Sequence, residues 1–224
     1  MHKTYYERLT MRTNQDYKNE ALAALKGHWT SAVVATLVYV LVALFCTGSG
    51  GLDSVFHFSP GTIVSVAGAS VLLAFFIIGP VEIGYVNSMR RLYEEGNSEL
   101  TSGMFEIAFR NYLHVVWTYF VMAVKILLWT LLLIVPGIIK AFSYAMTPYI
   151  MVEHPEYSAS EAINASCELM RGHKWELFCL YLSFIGWAFL SVITCCIGFF
   201  WLEPYISVSQ AAFYKELKAR KAAE

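Results

Sequence analysis

Four long stretches almost free of charged side chains constrain this chain more than any other feature: residues 27–52, 54–81, 111–152 and 177–202. A helix needs about 20 apolar residues to cross a bilayer, and several of these stretches exceed that length. Only 15% of the 224 residues are charged, against about 25% in soluble domains. The sequence therefore predicts an all-α, polytopic membrane protein that forms a single integral membrane domain over residues 1–224.

The apolar pattern predicts six transmembrane helices. Their expected ranges are 31–47, 62–88, 111–135, 137–152, 176–193 and 198–213. Fourteen of the sixteen Lys and Arg residues lie in four places: before span one, between spans two and three, between spans four and five, and after span six. Because loop cations concentrate on the cytoplasmic side, both termini are expected there. This topology gives a cytoplasmic segment at 1–29 and a charged cytoplasmic tail at 214–224.

Each predicted cytoplasmic segment carries a short amphipathic stretch just before an odd-numbered span. These stretches are 16–29, 101–117 and 158–175. Apolar residues recur there at intervals of three and four, which predicts interfacial helices with one apolar face. Thr13 with Asp16 and Ser158 with Glu161 have the spacing of a capping box, which marks a helix start. These helices are expected either to brace the bundle at the headgroup boundary or to recruit a cytoplasmic partner.

Short similarities between segments indicate a threefold internal repeat. LKGHW at 25–29 resembles MRGHKW at 170–175, and Gly27 and Gly172 are expected to end the preceding helices. The even-numbered spans contain PVEIGY at 80–85, PYIMVE at 148–153 and PYISVS at 204–209. Each repeat would consist of an interfacial helix followed by two spans.

Several linked segments resemble the domain of unknown function 975 family of bacterial integral membrane proteins. The likeness rests on PGIIKAFSYAMTPYIMVE, SEAINAS, GHKWELF, LSFIGW and PYISVSQAAFY, and it covers most of residues 76–214. It implies a bacterial cytoplasmic membrane protein. It also implies a distant similarity to the membrane domain attached to some glycerophosphodiester phosphodiesterases. The resemblance brings no catalytic residues that could be carried over.

Four ionisable residues lie inside the predicted spans: Glu82, Lys125, Lys140 and Glu203. A lone charge at the centre of a membrane helix costs about 2.5–3.5 kcal/mol on insertion scales, so such groups usually face the bundle interior and have partners. Lys140 with Glu203 is the easiest pair to form, because both are expected near the outer face. Three interpretations remain open: a ligand-binding polar cavity, structural ion pairs, or a Lys140 that extends to the interface.

Four prolines are candidate helix breaks: Pro80, Pro136, Pro148 and Pro204. A proline inside a helix removes a backbone hydrogen bond, although neighbouring helices can supply a replacement in a membrane bundle. Pro136 is expected at the connection between spans three and four. Breaks at the other positions would help to open a cavity among the spans.

No sequence motif indicates catalysis, a cofactor or a metal site. HExxH, GxSxG and P-loop patterns are missing, the cysteines have no zinc-site spacing, and a net charge of −1 gives no reason to expect nucleic acid. We therefore expect a non-enzymatic envelope accessory protein that binds lipids or membrane partners. The alternative is a small transporter or exporter of an amphipathic substrate, such as a lipid or peptide. A continuous polar cavity reaching Lys125 and Glu82 would favour transport, and a tightly packed core would favour the accessory role.

Overall fold

The computed structural model describes residues 13–47, 60–96, 104–106, 109–194 and 197–223, and those residues are helical without any strand. The helices are α1 (Asn14–Leu25), α2 (Trp29–Thr47), α3 (Pro60–Glu95), α4 (Tyr112–Leu132), α5 (Ile134–Tyr144), α6 (Thr147–Glu153), α7 (Ala159–Leu169), α8 (Lys174–Leu182), α9 (Ile185–Ile193) and α10 (Phe199–Lys221). The predicted all-α class is confirmed. The predicted loop at 48–61 lies mostly outside the described residues.

Two helical segments are long and apolar enough to cross a membrane: Tyr112–Leu132 and Lys174–Ile193, of which the second joins α8 and α9. A third candidate is α1 with the first part of α2, bent by 100° at their junction. Within the described residues the structure thus provides two or three candidate spans. In the most apolar 18-residue stretch of each of the first two segments, only 17% and 22% of the residues are buried. Most of their apolar surface therefore faces outward.

Local sequence signals set the ends of α1 and α7. Capping boxes form between Thr13 and Asp16 and between Ser158 and Glu161, as predicted. Gly27 and Gly172 follow these helices with φ of 90° and 84°, a conformation that residues with a Cβ rarely adopt. The predicted helix at 101–117 is only partly described. It is helical at 104–106, and α4 continues from Tyr112.

The prediction of helix breaks at Pro80 and Pro204 is wrong. Both prolines lie inside continuous helices, α3 and α10. In α3 the missing proline N–H leaves the carbonyl of Phe76 without its helical donor, and the Tyr112 hydroxyl of α4 donates to that oxygen at 3.1 Å. A neighbouring helix therefore replaces the bond that Pro80 removes.

The breaks near the other two prolines lie a few residues before them. Helix α4 ends at Leu132, and the next residue, Leu133, is extended with φ of −161° and ψ of 138°. Pro136 is the third residue of α5. Pro148 occupies the first turn of α6, where its missing N–H costs no helical bond. Predicted span four is therefore two helices, α5 and α6. Predicted span five is also divided, at Ser183–Phe184 between α8 and α9.

Two tight hairpins share one construction. A Cβ on Gly137 would lie 2.2 Å from Thr130 Oγ1, and a Cβ on Gly198 would lie 2.7 Å from Ser191 Oγ. Glycine is therefore needed where α5 approaches α4 and where the chain enters α10 beside α9. In both hairpins the glycine lies seven positions after the Thr or Ser that it approaches.

Helix α1 packs into the protein rather than presenting its apolar face. Tyr17, Ala21 and Leu25 are buried, and the Tyr17 ring meets the Phe213 ring of α10 at 5.4 Å. Leu22, which the apolar pattern also includes, is 42% exposed. The buried side of α1 thus braces α10, as the first of the two interpretations of the amphipathic helices expects.

Candidate functional site

A cavity of about 380 Å³ lies among the helices. Side chains of α2, α3, α4, α5, α6, α8 and α10 contribute to its walls, so it occupies the middle of the bundle. The wall includes apolar groups such as Val86, Met122 and Ile206, and it also holds two carboxylates, six tyrosines, a serine and a glutamine. This size and mixed lining are typical of small-molecule sites.

The two carboxylates in the cavity wall belong to Glu82 of α3 and Glu203 of α10. Both side chains are half-buried. Neither forms an ion pair among the ion pairs of the described residues, and the lining contains no Lys, Arg or His. The structure thus brings the two predicted acids to one site without a basic partner from the lining.

The tyrosines form an aromatic wall that is fixed by contacts behind it. The rings of Tyr39 and Tyr85 stack at 5.1 Å. The Tyr85 hydroxyl is 3.0 Å from Thr36 Oγ1, whose own proton goes to the carbonyl of Ala32, so Tyr85 donates in this pair. On the other side, the Tyr149 ring stacks on the Tyr214 ring at 5.0 Å. These rings are therefore held in place before any ligand enters.

Two tyrosine hydroxyls in the wall have no hydrogen-bond partner among the described residues. Tyr149 is 1% exposed, and its buried hydroxyl is unpaired. The Tyr119 hydroxyl is also unpaired, but the Glu82 carboxylate lies close enough to interact with it. A buried hydroxyl without a partner costs about 1–3 kcal/mol, so the Tyr149 position favours a polar group in the cavity.

The predicted basic residues do not join the acids. Lys140 Nζ lies 4.9 Å from the centre of the Trp129 ring, in a cation–π contact, so the expected Lys140–Glu203 pair does not form. Lys125 precedes the cavity residue Ile126 but is not itself in the lining.

Sequence reasoning missed the tyrosines of the cavity. They are Tyr39, Tyr85, Tyr119, Tyr144, Tyr149 and Tyr181. A usable signal was present, because tyrosine in membrane proteins concentrates at the interfaces, whereas several of these residues lie well inside apolar runs. Tyrosines at such depth indicate a polar interior.

Ion pairs concentrate at one end of the bundle, away from the cavity lining. Glu153 Oε2 accepts hydrogen bonds from the Tyr214 hydroxyl at 2.8 Å and from Lys218 Nζ at 2.6 Å, and Arg90 Nη1 lies 3.6 Å from Oε1. Burial alone would raise the pKa of Glu153, but these hydrogen bonds and the charges of Lys218 and Arg90 outweigh it and lower the pKa. A second pair joins Arg220 to Glu176 at 3.1 Å.

The described structure is thus that of an all-helical protein with outward-facing apolar helices and an acidic, tyrosine-lined internal cavity. Residues 131–221 match the model of the family described as "Protein of unknown function (DUF975)". This match confirms the predicted resemblance to the domain of unknown function 975 family over that part of the chain. The match covers α5 to α10 completely, including Glu203, whereas Glu82 precedes it. Comparisons with curated proteins and with solved structures gave no match.

Proposed function

We propose that this protein is a small transporter or exporter that binds an amphipathic molecule in the cavity between Glu82 and Glu203. The observation that carries the proposal is the cavity itself, because its wall joins unpaired polar groups to apolar surface in the middle of a helical bundle. Membrane transporters bind their substrates at such central sites, and ionisable residues inside a membrane usually mark them.

The architecture that goes with this function is a six-span protein of the bacterial cytoplasmic membrane, with both termini in the cytoplasm and three related units. The matched spacing of Thr130 to Gly137 and of Ser191 to Gly198 supports a relation between two of those units. The ion pairs around Glu153 and Glu176 support a cytoplasmic position for that end of the bundle, since both residues flank predicted cytoplasmic segments.

An accessory protein that binds lipids or membrane partners is the competing function, and it requires no central site. The sequence favours it, but the cavity favours transport, because a bundle that only organises partners gains nothing from unpaired buried hydroxyls. A partner at the cytoplasmic helices is less favoured at α1, where three apolar side chains are already buried. In neither case do we propose an enzyme, since the sequence carries no HExxH, GxSxG or P-loop motif.

Native mass spectrometry of the protein, extracted gently with its own lipids, tests this proposal. Ala145 lines the cavity, so Ala145→Leu should fill part of it, while Ala123→Leu adds the same bulk to the exposed side of α4 as a control. We expect a small molecule that is retained by the wild type and by Ala123→Leu, and lost from Ala145→Leu. Equal retention in all three proteins, or none in any, would refute binding in the cavity.

A further inference from the structure

We propose that the cavity selects a protonated organic amine with an apolar body, held between the carboxylates of Glu82 and Glu203. This inference rests on the proposed function and narrows its substrate class to cations. The first argument is charge. Two carboxylates face one cavity whose lining supplies no cationic side chain, and a carboxylate that stays ionised in a low-dielectric interior is stabilised by a partner of opposite sign.

The second argument is the unpaired Tyr149 hydroxyl, which is independent of the acids. It is fully buried in the cavity wall and has no partner within the described part of the chain. A hydroxyl oxygen accepts hydrogen bonds, and an alkylammonium group offers three N–H donors. One ammonium group can therefore bind a carboxylate and a tyrosine hydroxyl together. The Tyr119 hydroxyl beside Glu82 provides a second acceptor of the same kind.

The third argument is the aromatic wall. The Tyr39 and Tyr85 rings stack on each other, and the Tyr85 hydroxyl is held by Thr36, so both rings line the cavity in a fixed position. Cations are attracted to the faces of aromatic rings, and cages of such rings bind ammonium groups in other proteins. Val86, Met122 and Ile126 then offer apolar surface to the rest of the molecule.

A metal ion fits these observations less well than an amine. No group of three or more His, Cys, Asp or Glu positioned to hold a metal occurs among the described residues. Calcium takes six to eight oxygen ligands, and magnesium requires near-ideal octahedral geometry. A cavity of about 380 Å³ with apolar walls has room for an organic molecule. Size and lining both favour the amine.

Isothermal titration calorimetry of the full chain in detergent, with three matched probes, tests the charge preference. The probes are 2-phenylethylammonium, the neutral 2-phenylethanol and the anionic 3-phenylpropanoate, which share a phenyl ring and differ in the terminal group. We expect the amine to bind at least tenfold more tightly than the alcohol, and the anion not to bind. Equal affinity for amine and alcohol, or tighter binding of the anion, would overturn the inference.

Charge-removing variants locate the site. Glu82→Gln and Glu203→Gln keep the side-chain shape, and each should weaken amine binding about tenfold or more, whereas the exposed Glu106→Gln should leave it within twofold. Tyr149→Phe should weaken the amine about threefold and the alcohol less. Circular dichroism and a thermal melt identify any variant that fails to fold. Unchanged amine binding by a folded Glu82→Gln/Glu203→Gln protein would also overturn the inference.

The two proposals can fail separately. If amine and alcohol bind equally and Ala145→Leu abolishes both, the cation preference is wrong, but binding in the cavity stands. If no probe binds and native mass spectrometry finds no retained molecule, both proposals fail. Binding of the amine that survives Ala145→Leu would place the cation elsewhere and refute the site.

Discussion

Glu153 is the residue on which three helix ends converge. Its carboxylate at the end of α6 meets Lys218 and Tyr214 of α10 and Arg90 of α3. The side chain is 15% exposed, so water screens these contacts less than those of a surface pair. Burial and the adjacent carboxylate also raise the pKa of the Tyr214 hydroxyl, which therefore remains a donor at neutral pH. One carboxylate thus joins α3, α6 and α10.

We predict that Glu153→Gln lowers the free energy of unfolding by about 1–3 kcal/mol, because a neutral amide cannot replace a carboxylate that accepts charged hydrogen bonds. The effect depends on pH with a definite sign. The pKa of Glu153 is lowered in the folded protein, so its stabilisation is complete above the ordinary value of 4.5 and is lost as pH falls through the lowered value. Thermal melts in detergent between pH 3 and 7 measure this.

The control for that experiment is Glu95→Gln, which removes an exposed carboxylate at the end of α3. The difference in melting temperature between wild type and Glu153→Gln should shrink as pH falls below 4.5, while Glu95→Gln should follow the wild type throughout. A Glu153→Gln deficit that does not shrink at all on acidification would show that the carboxylate charge is not its cause.

At the scale of helices, backbone carbonyls near irregular points of the helices accept hydrogen bonds from side chains of other helices. Tyr112 donates to the carbonyl of Phe76, Ser166 Oγ donates to the carbonyl of Ser143 at 2.8 Å, and Lys18 Nζ donates to the carbonyl of Ser183 at 2.6 Å. Free backbone groups cannot remain unpaired in lipid, so each irregular point needs such a partner. The irregular helices therefore depend on their neighbours.

The Tyr112 hydroxyl should matter only while Pro80 is present. We predict that Tyr112→Phe destabilises the protein by about 1 kcal/mol, because the hydrogen bond from this hydroxyl to the Phe76 carbonyl is lost. In a Pro80→Ala background the helix can supply its own N–H, so the same change should cost much less. A double-mutant cycle on melting data measures the coupling. Equal costs in both backgrounds would mean that the hydroxyl does not replace the missing bond.

The α4–α5 hairpin should tolerate no Cβ at Gly137. We predict that Gly137→Ala costs about 1–3 kcal/mol, because the new methyl group would overlap Thr130 and force the helices apart. The matched control is Gly186→Ala in α9, where nothing lies within 4 Å of the added Cβ. That change should be neutral, or stabilising by up to about 1 kcal/mol through helix propensity. Similar melting temperatures for the two variants would contradict the close approach.

Local signals in the sequence predicted the helix ends well, and the pairing of distant side chains poorly. Thr13 with Asp16 and Ser158 with Glu161 act within one turn, so their capping could be recognised directly. The pairing of Lys140 depends instead on the direction in which it leaves α5. That direction is set by the break at Leu133, which no local pattern marks. The tyrosines of the cavity also come from distant parts of the chain, so no local pattern showed that they would lie beside the two predicted acids.

On the scale of the whole molecule, the described residues place apolar side chains on the outside of two helices and polar groups in the wall of the cavity, an arrangement that fits a membrane protein. Large apolar side chains are exposed on α4 and α9, among them Leu131 at 83% and Ile193 at 77%, while polar side chains line the central cavity. In a soluble protein such exposed surface would be an aggregation risk. In lipid it is the expected exterior, and the polar groups belong inside the bundle.

The proposed six spans can be distinguished from the two or three candidate spans by labelling single cysteines. In a protein whose five native cysteines are replaced, we predict that Ser54→Cys and Ile197→Cys react with an impermeant maleimide in intact cells. Glu156→Cys and Ala223→Cys should react only after permeabilisation. Ile197 and Glu156 are suitable because both are exposed at connections between helices. With six spans these sites alternate between the two sides. If Glu156→Cys and Ile197→Cys were labelled from the same side, the segment between them would not cross the membrane, and the six-span arrangement would be wrong.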